Sequence, residues 1–452
     1  MLVLALAALL LGAAGCGGSK SASTPTGTAS KGSTAPAPSA AWITYHRNLA
    51  RTGLDSTSPP LGQVGQTWTR QLDGQVYAEP LVASGRVLAA TEGDSLYALD
   101  AGTGRVRWRA RLGTPVDGAT LPCGNINPSG ITGTPAIDAG NRTVYAVGFL
   151  QPAHHVLFAV DLATGRVRWR RAIDPPGADP KVHQQRAALA VSGGRVYVAY
   201  GGLFGDCGDY HGWVVSVPAG SPSGALQAFQ VPTQREGAIW APSGPAVDAR
   251  GNLFVATGNG SSTNSFDFGN SVIRLSPSLQ RTAFWAPRNA ATLNANDTDL
   301  GSTGPLLLPG GNVFIIGKEG VGYLLEAGRL GGIGGQRASR GVCSAAFGGS
   351  AYAAGLVYVP CTDGLAAVRV TERTLASAWR GPGFRAGPPI VAGGAVWTVD
   401  LDGGVLYALD ARTGRVRFRG SIDHPAQFTT PTAADGWIYV GGGNRVLAFT
   451  GA

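Results

Sequence analysis

Short apolar runs separated by glycine-containing turns recur along most of the chain. Three of them share one pattern: SLYALDAGTGRVRWRARLG at 95–113, VLFAVDLATGRVRWRRAI at 156–173 and VLYALDARTGRVRFRGSI at 405–422. Each predicts a strand that ends in Asp, a tight Thr-Gly turn, and a second strand in which arginines alternate with apolar residues. This period-two alternation places the arginines on one face of an outer strand.

Weaker copies of the pattern fill the intervals between these segments. Each copy begins with a small residue or an acidic residue before Pro and continues with a second strand after a glycine turn. The fourth strand carries a large aromatic residue at Trp108, Trp169, Phe229, Trp285, Trp379 and Phe418. Four antiparallel strands per unit, repeated seven times between 75 and 422, are typical of the blades of a β-propeller.

The two ends of the chain are predicted to complete an eighth blade. Residues 423–452 contain three strands, and QTWTRQL at 66–72 supplies a fourth strand with the aromatic Trp68. Closing one blade with strands from both termini removes an open sheet edge. We therefore predict an all-β fold over 41–452, an eight-bladed β-propeller closed by N- and C-terminal strands in one blade. Seven or nine blades remain the alternative, because the unit near 324–339 is degenerate.

Composition agrees with an all-β repeat protein. The chain contains 69 Gly and 29 Pro, with 44% hydrophobic and only 14% charged residues. Its net charge of +9 comes almost wholly from arginine, since lysine occurs only at 20, 31, 181 and 318. A skew of this kind is typical of GC-rich coding, and we do not predict a nucleic-acid partner.

The N-terminus predicts export. The apolar run 1–15 is too short to span a membrane comfortably, which indicates a signal peptide. The small residues before Cys16 resemble a bacterial lipobox, although position 13 is Ala where Leu is usual and no basic residue follows Met1. We predict lipidation of Cys16, a disordered Ser/Thr/Gly/Ala/Pro-rich tether at 16–40, and an extracytoplasmic protein anchored to the cell membrane. The alternative is an ordinary signal peptide with a chance cysteine.

Four cysteines remain in the body of the chain. An even number in an exported protein favours disulfides, and no CxxC spacing indicates a zinc site. We predict Cys123–Cys207, which would connect the long loops of two neighbouring blades, and Cys343–Cys361, which flanks the first strands of one blade. The alternative is buried free thiols.

The repeat resembles that of a known family. The segments ALDAGTGRVRW (98–108), AVDLATGRVRW (159–169) and ALDARTGRVRF (408–418) resemble the Trp-docking repeat of the pyrroloquinoline-quinone (PQQ) propellers. That superfamily includes quinoprotein alcohol dehydrogenases and the propeller lipoprotein of the outer-membrane β-barrel assembly machinery. Segments 42–53, 205–213 and 296–305 also resemble exported PQQ-repeat proteins of GC-rich Gram-positive bacteria. The resemblance implies the fold, in which the docking Trp packs one blade on the next, and implies little about function.

The chain departs from the dehydrogenases of that superfamily. There, PQQ lies in the central funnel between a Trp and a disulfide of adjacent cysteines, above a Ca²⁺ held by Glu, Asn and Asp. In this chain no two cysteines are adjacent, and no CxxCH haem segment occurs. A catalytic interpretation therefore requires another PQQ geometry.

Propeller topology brings a set of polar side chains to one face of the ring. The candidates for a funnel ligand site are Glu79, Arg186, Glu236, Trp240, Asn259, Asp297, Asp299 and Lys318. They could bind an anionic, polar or cation-bearing ligand, and Asp297, Asp299 and Asn259 could share a hard cation through their oxygens. The alternative is that the carboxylates accept hydrogen bonds from backbone amides at the channel mouth.

Two functions follow as hypotheses. The first is a monomeric, envelope-anchored binding or assembly scaffold whose partner is an envelope protein or polymer, with no cofactor firmly implied. The alternative is a dehydrogenase that uses PQQ and Ca²⁺ in the funnel, and the sequence identifies no catalytic residue for it. The rows of Arg on the outer strands are interpreted as protection against edge pairing, in preference to a surface for anionic headgroups or wall polymers.

Overall fold

Eight four-stranded antiparallel sheets form a ring in the computed structural model, which describes residues 41–451. The eight-bladed β-propeller is therefore confirmed. The predicted signal peptide (1–15), Cys16 and the tether (16–40) lie outside the described residues. Within 41–451, no helix is long and apolar enough to cross a membrane.

Each blade contains four consecutive strands, except that the last blade takes its outermost strand from the N-terminal side of the chain. The strands are Leu81–Ala83, Arg86–Thr91, Ser95–Asp100 and Val106–Arg111 in blade 1; Ala136–Asp138, Thr143–Leu150, His154–Asp161 and Val167–Ala172 in blade 2; Ala190–Ser192, Arg195–Gly202, Trp213–Pro218 and Gln227–Gln230 in blade 3; Ala246–Val247, Leu253–Ala256, Val272–Leu275 and Arg281–Ala286 in blade 4; Leu306–Leu308, Asn312–Ile315, Val321–Glu326 and Ala338–Gly341 in blade 5; Ala351–Ala353, Leu356–Cys361, Gly364–Val370 and Leu375–Arg380 in blade 6; Ile390–Ala392, Ala395–Asp400, Val405–Asp410 and Val416–Ser421 in blade 7; and Thr432–Ala434, Trp437–Gly442, Arg445–Gly451 and Val64–Gln71 in blade 8.

Shorter elements lie between and beside the blades. They are the strands Leu54–Asp55, His183–Gln184 and Gly332–Ile333, the α-helix Ala290–Ala295, and the 3₁₀ turns Gly118–Thr120, Pro180–Val182 and Leu300–Ser302.

Blade 8 closes the ring as the sequence predicts. Val64–Gln71 pairs antiparallel with Arg445–Gly451, and Trp68 lies opposite Ala448. The termini of the propeller are thus hydrogen-bonded to each other, and no sheet edge is left between the first and last blades.

The repeat motif encodes an interaction between neighbouring blades. Trp108 in the outer strand of blade 1 donates from Nε1 to the Leu162 carbonyl of blade 2 at 3.1 Å. Its ring lies against Gly165, where φ is +73° and a Cβ would stand 2.6 Å from the indole. Trp68 and Trp379 dock on blades 1 and 7 in the same way. The Thr-Gly turn therefore requires glycine both for its backbone conformation and for the approach of the neighbouring Trp.

The connections between strands divide between two faces of the ring. The turns between the first and second strands and between the third and fourth strands lie on one face, called here the turn face. The turns between the second and third strands and the segments that join successive blades lie on the opposite face, called the loop face.

Residues 42–55 fill the axis of the ring, and we call them the axial segment. Leu54–Asp55 pairs in parallel with the inner strand of blade 7. The carbonyls of Ile43, Leu49, Ala50 and Thr52 accept hydrogen bonds from the inner strands of blades 2, 4, 5 and 6 at 2.8–3.0 Å. The segment thus satisfies inner-strand N–H groups around the ring, an arrangement that sequence analysis did not predict.

Two titratable side chains of the axial segment, Arg51 and His46, are buried. Arg51 is 1% exposed and donates to the carbonyls of Pro245, Tyr45 and Leu189 at 2.9, 3.0 and 3.2 Å, which connects the segment to blades 3 and 4. The neighbouring His46 is also buried, and desolvation lowers its pKa to about 3, so its imidazole is neutral.

Candidate functional site

A cavity of about 330 Å³ opens on the loop face. Its walls come from the turns between the second and third strands of blades 3, 4 and 5, and from the segments that lead into blades 3, 4, 5, 6 and 8. The lining residues are Gln184, Arg186, Gly202, Leu203, Phe204, Gly205, Asp206, Tyr210, Glu236, Ala238, Trp240, Asn259, Asp297, Asp299, Lys318, Phe347, Gln427 and Phe428. We call this cavity the loop-face pocket.

Seven of the eight candidate residues predicted from the sequence line this pocket. They are Arg186, Glu236, Trp240, Asn259, Asp297, Asp299 and Lys318. Their convergence follows from topology, since each belongs to a segment that joins two blades or to a turn between second and third strands.

Glu79 does not line the pocket, so the structure does not bring it together with the other seven candidates. Its carboxylate accepts hydrogen bonds from Trp42 Nε1 at 3.1 Å and from the His46 amide at 2.8 Å. Glu79 is 2% exposed, and burial raises its pKa well above the ordinary value. It faces the axial segment, whose position the repeat pattern does not reveal.

A lysine and two carboxylates form the polar centre of the pocket. Lys318 Nζ lies 2.6 Å from Asp299 Oδ2 and 3.0 Å from Asp297 Oδ1. The backbone N–H of Asn259 donates to Asp299 Oδ1 at 2.7 Å, and its side-chain Nδ2 donates to Asp297 Oδ1 at 2.8 Å. The four side chains thus constitute one hydrogen-bonded cluster.

The burial of this cluster shifts its titration. Burial raises the pKa of Asp299, which is 7% exposed, and outweighs the opposing effect of Lys318. For Lys318, burial alone would lower the pKa, but the two carboxylates outweigh it and the net shift is upward. The lysine therefore stays protonated, while Asp299 accepts a proton more readily than an exposed carboxylate does.

Two residues that the sequence analysis did not single out hold this cluster in place. Asn270, which is fully buried, donates from Nδ2 to Asn259 Oδ1 at 3.0 Å and accepts from the Leu300 amide at 2.6 Å. Gly258 allows the close approach of Asp299 and Trp240, since a Cβ there would lie 2.4 Å from Asp299 Oδ1 and 3.0 Å from Trp240 Nε1.

Aromatic side chains enclose the rest of the pocket. Trp240 lies 6.1 Å from Phe428 and 6.5 Å from Phe347 between ring centroids, and Lys318 Nζ stands 6.0 Å from the Trp240 ring. The Arg186 guanidinium lies over Phe428 at 5.4 Å. Flat apolar rings with cations above them suit an anionic, planar ligand.

Arg186 has unused hydrogen-bonding capacity. Its Nη2 donates to Gln184 Oε1 at 3.2 Å, whereas its buried Nη1 has no partner within the part of the chain that the structure describes. Burial lowers the pKa of Arg186. A guanidinium with a free N–H at the wall of a pocket can bind a carboxylate.

Both predicted disulfides are present in the structure. Cys123–Cys207 and Cys343–Cys361 each have a Cα–Cα distance of 6.1 Å. The first joins the segment before blade 2 to the loop of blade 3 that carries Phe204, which is 66% exposed at the pocket rim. The bond therefore restrains one wall of the pocket.

The family comparison matches most of the chain. The family described as outer membrane protein assembly factor BamB, a PQQ-repeat family, matches residues 63–329 and 347–452. Among curated proteins, a polyvinylalcohol dehydrogenase from a Pseudomonas species is 26% identical over 241 residues, which cover 48% of this chain and 35% of that protein. The match thus spans about a third of the relative's length.

Solved structures share the fold at low sequence identity. The quinohemoprotein alcohol dehydrogenase ADHIIG from Pseudomonas putida HK5 has a TM-score of 0.72 at 16% identity, covering 91% of this chain and 80% of that chain. A europium-containing methanol dehydrogenase has a TM-score of 0.70 at 14% identity, covering 91% and 98%. BamB from Moraxella catarrhalis has a TM-score of 0.59 at 15% identity, covering 86% and 100%. At these identities the likeness is one of fold.

Proposed function

Because the chain belongs to the PQQ-repeat family described as outer membrane protein assembly factor BamB, we propose that it is an exported propeller whose loop-face pocket binds a PQQ-type quinone together with a metal cation, and that it oxidises an alcohol. The observation that carries this proposal is the convergence of Trp240, Asn259, Asp297, Asp299 and Lys318 in one pocket of about 330 Å³. Pockets of this size accommodate small organic ligands.

The donor set fits a hard cation. Asp297 and the Asn259 side chain offer oxygen ligands, and Asp299, Asp206 and Glu236 add three carboxylates to the pocket wall. Against these four carboxylates the lining residues carry only two cations, Arg186 and Lys318. The excess of negative charge favours a divalent or trivalent ion.

The remaining lining residues fit a planar anion. By resemblance to the quinoprotein dehydrogenases, Trp240 would lie against the quinone. Asn259 and Asp297 would hold the cation, which leaves Asp299 for proton transfer. Arg186, whose guanidinium lines the pocket, would bind a carboxylate of the quinone. The adjacent-cysteine disulfide of those enzymes has no counterpart, so the second face of the quinone would meet other side chains, for which Phe204 and Phe428 are candidates.

Such a quinone, when bound, accepts the two electrons and the hydrogen that leave the alcohol carbon. Asp299 is the proposed proton acceptor for the alcohol hydroxyl, since burial raises its pKa and the Asn259 amide orients its Oδ1. Lys318 stays protonated beside it and can donate a hydrogen bond to a carbonyl oxygen or a developing negative charge. Phe347 and Phe428 form an apolar wall of this pocket.

Calorimetric titration of the purified protein with PQQ, in the presence of Ca²⁺ or Eu³⁺, tests the proposal. We expect saturable binding that requires the cation, and dye-linked oxidation of alcohols by the loaded protein. Trp240→Ala and Asp299→Asn should each weaken binding or abolish turnover. The matched control is Asp402→Asn, because Asp402 is an exposed carboxylate of the loop face that pairs with Arg385 outside the pocket. Absence of PQQ binding with either cation would refute the proposal.

A binding or assembly scaffold is the second candidate function. It is supported by the family match, which carries the description of an assembly factor, and by the lack of adjacent cysteines. An envelope location through lipidated Cys16 belongs to both candidates and is likewise a proposal. Cross-linking in intact cells, followed by mass spectrometry, should capture a defined envelope protein under the scaffold function. Metabolic labelling with an acyl-chain analogue tests Cys16 directly, with Cys16→Ser as the control.

A further inference from the structure

Charge is distributed unequally between the two faces of the propeller. In the connections of the loop face, 17 residues are acidic and six are basic; four of the acidic ones, Glu79, Glu92, Asp94 and Asp299, are buried, which leaves 13 on the surface. In the turns of the turn face, three are acidic and nine are basic. The net positive charge of the chain therefore conceals an acidic loop face, which contains the pocket, and a basic turn face opposite to it.

The basic side chains of the turn face are mostly free. Two of the nine, Arg329 and Arg337, pair with Glu326. The other seven are exposed arginines that make no ion pair within residues 41–451. Five of the seven lie on blades 7, 1 and 2, which flank blade 8 on the same side of the ring.

Exposed apolar side chains accompany these arginines. Five large hydrophobic residues are exposed in the described chain, and three of them border the turn face. Val106, Val167 and Val416 are 46%, 43% and 36% exposed, and each directly follows one of the free arginines in the Thr-Gly-Arg-Val sequence of its blade. The other two, Phe204 and Ile333, lie beside loop-face segments.

The described chain also begins on this face. Trp42 pairs with Val82, close to the turn of blade 1, and the axial segment leaves the ring beside the turn of blade 7. Residues Pro59 and Leu61 then contact the turns of blades 7 and 8. The predicted lipid-bearing Cys16 is 25 residues before Ala41 in the sequence.

From these observations we propose that the turn face docks on an anionic lipid bilayer through three Arg-Val pairs, Arg105-Val106, Arg166-Val167 and Arg415-Val416. Arginine binds phosphate headgroups, and a neighbouring valine gains free energy by leaving water at the headgroup boundary. A soluble polyanion would use the arginines but has no use for the valines. Docking in this way leaves the loop-face pocket directed away from the membrane. It requires the proposed envelope location but does not depend on the quinone chemistry.

Vesicle binding tests the docking surface. The full chain with Cys16→Ser, which carries no acyl group, is mixed with phosphatidylcholine vesicles that contain either no anionic lipid or phosphatidylglycerol. We expect binding to the anionic vesicles only, and weaker binding as salt is raised. Replacing Arg105, Arg166 and Arg415 with Ser should weaken the affinity for anionic vesicles about 100-fold. Each arginine at the membrane surface contributes about fivefold to that affinity, and the three contributions multiply.

Matched variants separate this surface from a general effect of charge. Replacing Arg111, Lys181 and Arg340 with Ser changes the net charge equally but alters the loop-face side of the molecule, and should change the affinity less than about threefold. Replacement of the three arginines with Lys should restore most of the binding. Replacement of Val106, Val167 and Val416 with Ser should weaken vesicle binding without changing the melting temperature.

Three outcomes would overturn the proposal. The first is equal affinity for vesicles with and without anionic lipid. The second is an equal loss of vesicle affinity in the turn-face and the loop-face Ser triple variants. The third is binding of inorganic polyphosphate as tight as that of anionic vesicles, with no effect of the valine changes. The last outcome would identify the turn face as a site for a soluble polyanion. PQQ titration is unaffected by any of these changes, so failure of this proposal is distinguishable from failure of the proposed function.

Discussion

Arg51→Met is expected to destabilise the propeller by disconnecting the axial segment from the blades. Arg51 is 1% exposed and makes hydrogen bonds to three backbone carbonyls and to the Thr44 hydroxyl. Methionine fills a similar volume but offers no donor. The carbonyls of Pro245 and Tyr45 would then lose the only hydrogen-bond donor that the described chain provides for them. The Leu189 carbonyl would keep its hydrogen bond from the Thr44 hydroxyl.

The magnitude follows from the groups that lose their partners. A buried carbonyl left unpaired costs about 1–3 kcal/mol, so two cost about 2–6 kcal/mol. Removal of the buried guanidinium also takes away the positive charge that favours the ionised form of Glu79. A loss of about 4 kcal/mol in the free energy of unfolding is therefore expected. Over the roughly 410 residues of the propeller, this corresponds to a fall of about 4–5 °C in melting temperature.

Thermal melting at one fixed scan rate measures the effect. Arg417→Met is the matched control, since Arg417 is exposed and donates one hydrogen bond to the Leu61 carbonyl at 3.0 Å. It should shift the free energy of unfolding by less than about 0.5 kcal/mol. Arg51→Lys keeps the charge but loses the planar fork, and should fall between the wild type and Arg51→Met. If Arg51→Met melts within about 1 °C of the wild type, the axial segment does not tie the blades together as the hydrogen bonds indicate.

Three further outcomes are expected. Gly165→Ala should lower the melting temperature more than Gly177→Ala, because both have φ near +75° but only a Cβ at residue 165 would meet Trp108; equal losses would contradict the docking role of that Trp. Glu92 and Asp94 are buried carboxyls whose pKa values burial raises to about 7 and about 8, so the folded state binds protons more tightly than the unfolded state. Stability should therefore fall as the pH rises from about 4 to 8, and Asp94→Asn should flatten this fall in melting curves between pH 5 and 9; a flat wild-type profile would argue against these shifts. Removing Cys123–Cys207, which closes a loop of 84 residues, should cost about 4.5 kcal/mol, against about 3 kcal/mol for the 18-residue loop of Cys343–Cys361; the reverse order in denaturant unfolding would contradict the loop-closure explanation.

The sequence predicted the propeller because its repeat specifies both local and inter-blade structure. The Asp and Gly of the Thr-Gly turn determine a tight connection, and the aromatic residue four positions after the Gly docks on the same turn of the next blade, as Trp108 does. The pairing of Trp68 with the C-terminal strand followed from counting these aromatics. The axial segment could not be found in this way, because residues 42–55 contact many inner strands without repeating their pattern.

The candidate site was predictable to the extent that propeller topology determines it. Segments on the same face converge whatever their sequence, and so seven candidate residues share one pocket. Phe347 and Phe428 reach that pocket from the segments before blades 6 and 8, where no motif marks them. Asn270 was missed because a buried asparagine that orients another asparagine leaves no pattern in the sequence. Whether the pocket binds a quinone stays a prediction.

Composition alone was misleading about charge. A net charge of +9 favours anionic partners in general, yet the pocket opens on a face where acidic residues outnumber basic ones by 17 to six. The difference in charge between the turn face and the loop face becomes visible only when each charged residue is assigned to a connection on one face or the other. A ligand of the pocket therefore meets an acidic surround, and a cation is needed before that surround can accept an anionic quinone.

The axial segment also restricts where function can reside. It occupies the centre of the ring and hydrogen-bonds to inner strands of most blades, so a ligand cannot reach the loop-face pocket through the axis from the turn face. Any ligand of the pocket must therefore pass through the loop-face opening, beside Phe204 and the Cys123–Cys207 disulfide. A protein held at a membrane by its turn face keeps this opening free, whereas the opposite orientation would cover it. The proposed ligand site and the proposed membrane-docking surface thus lie on opposite faces of one ring and do not compete.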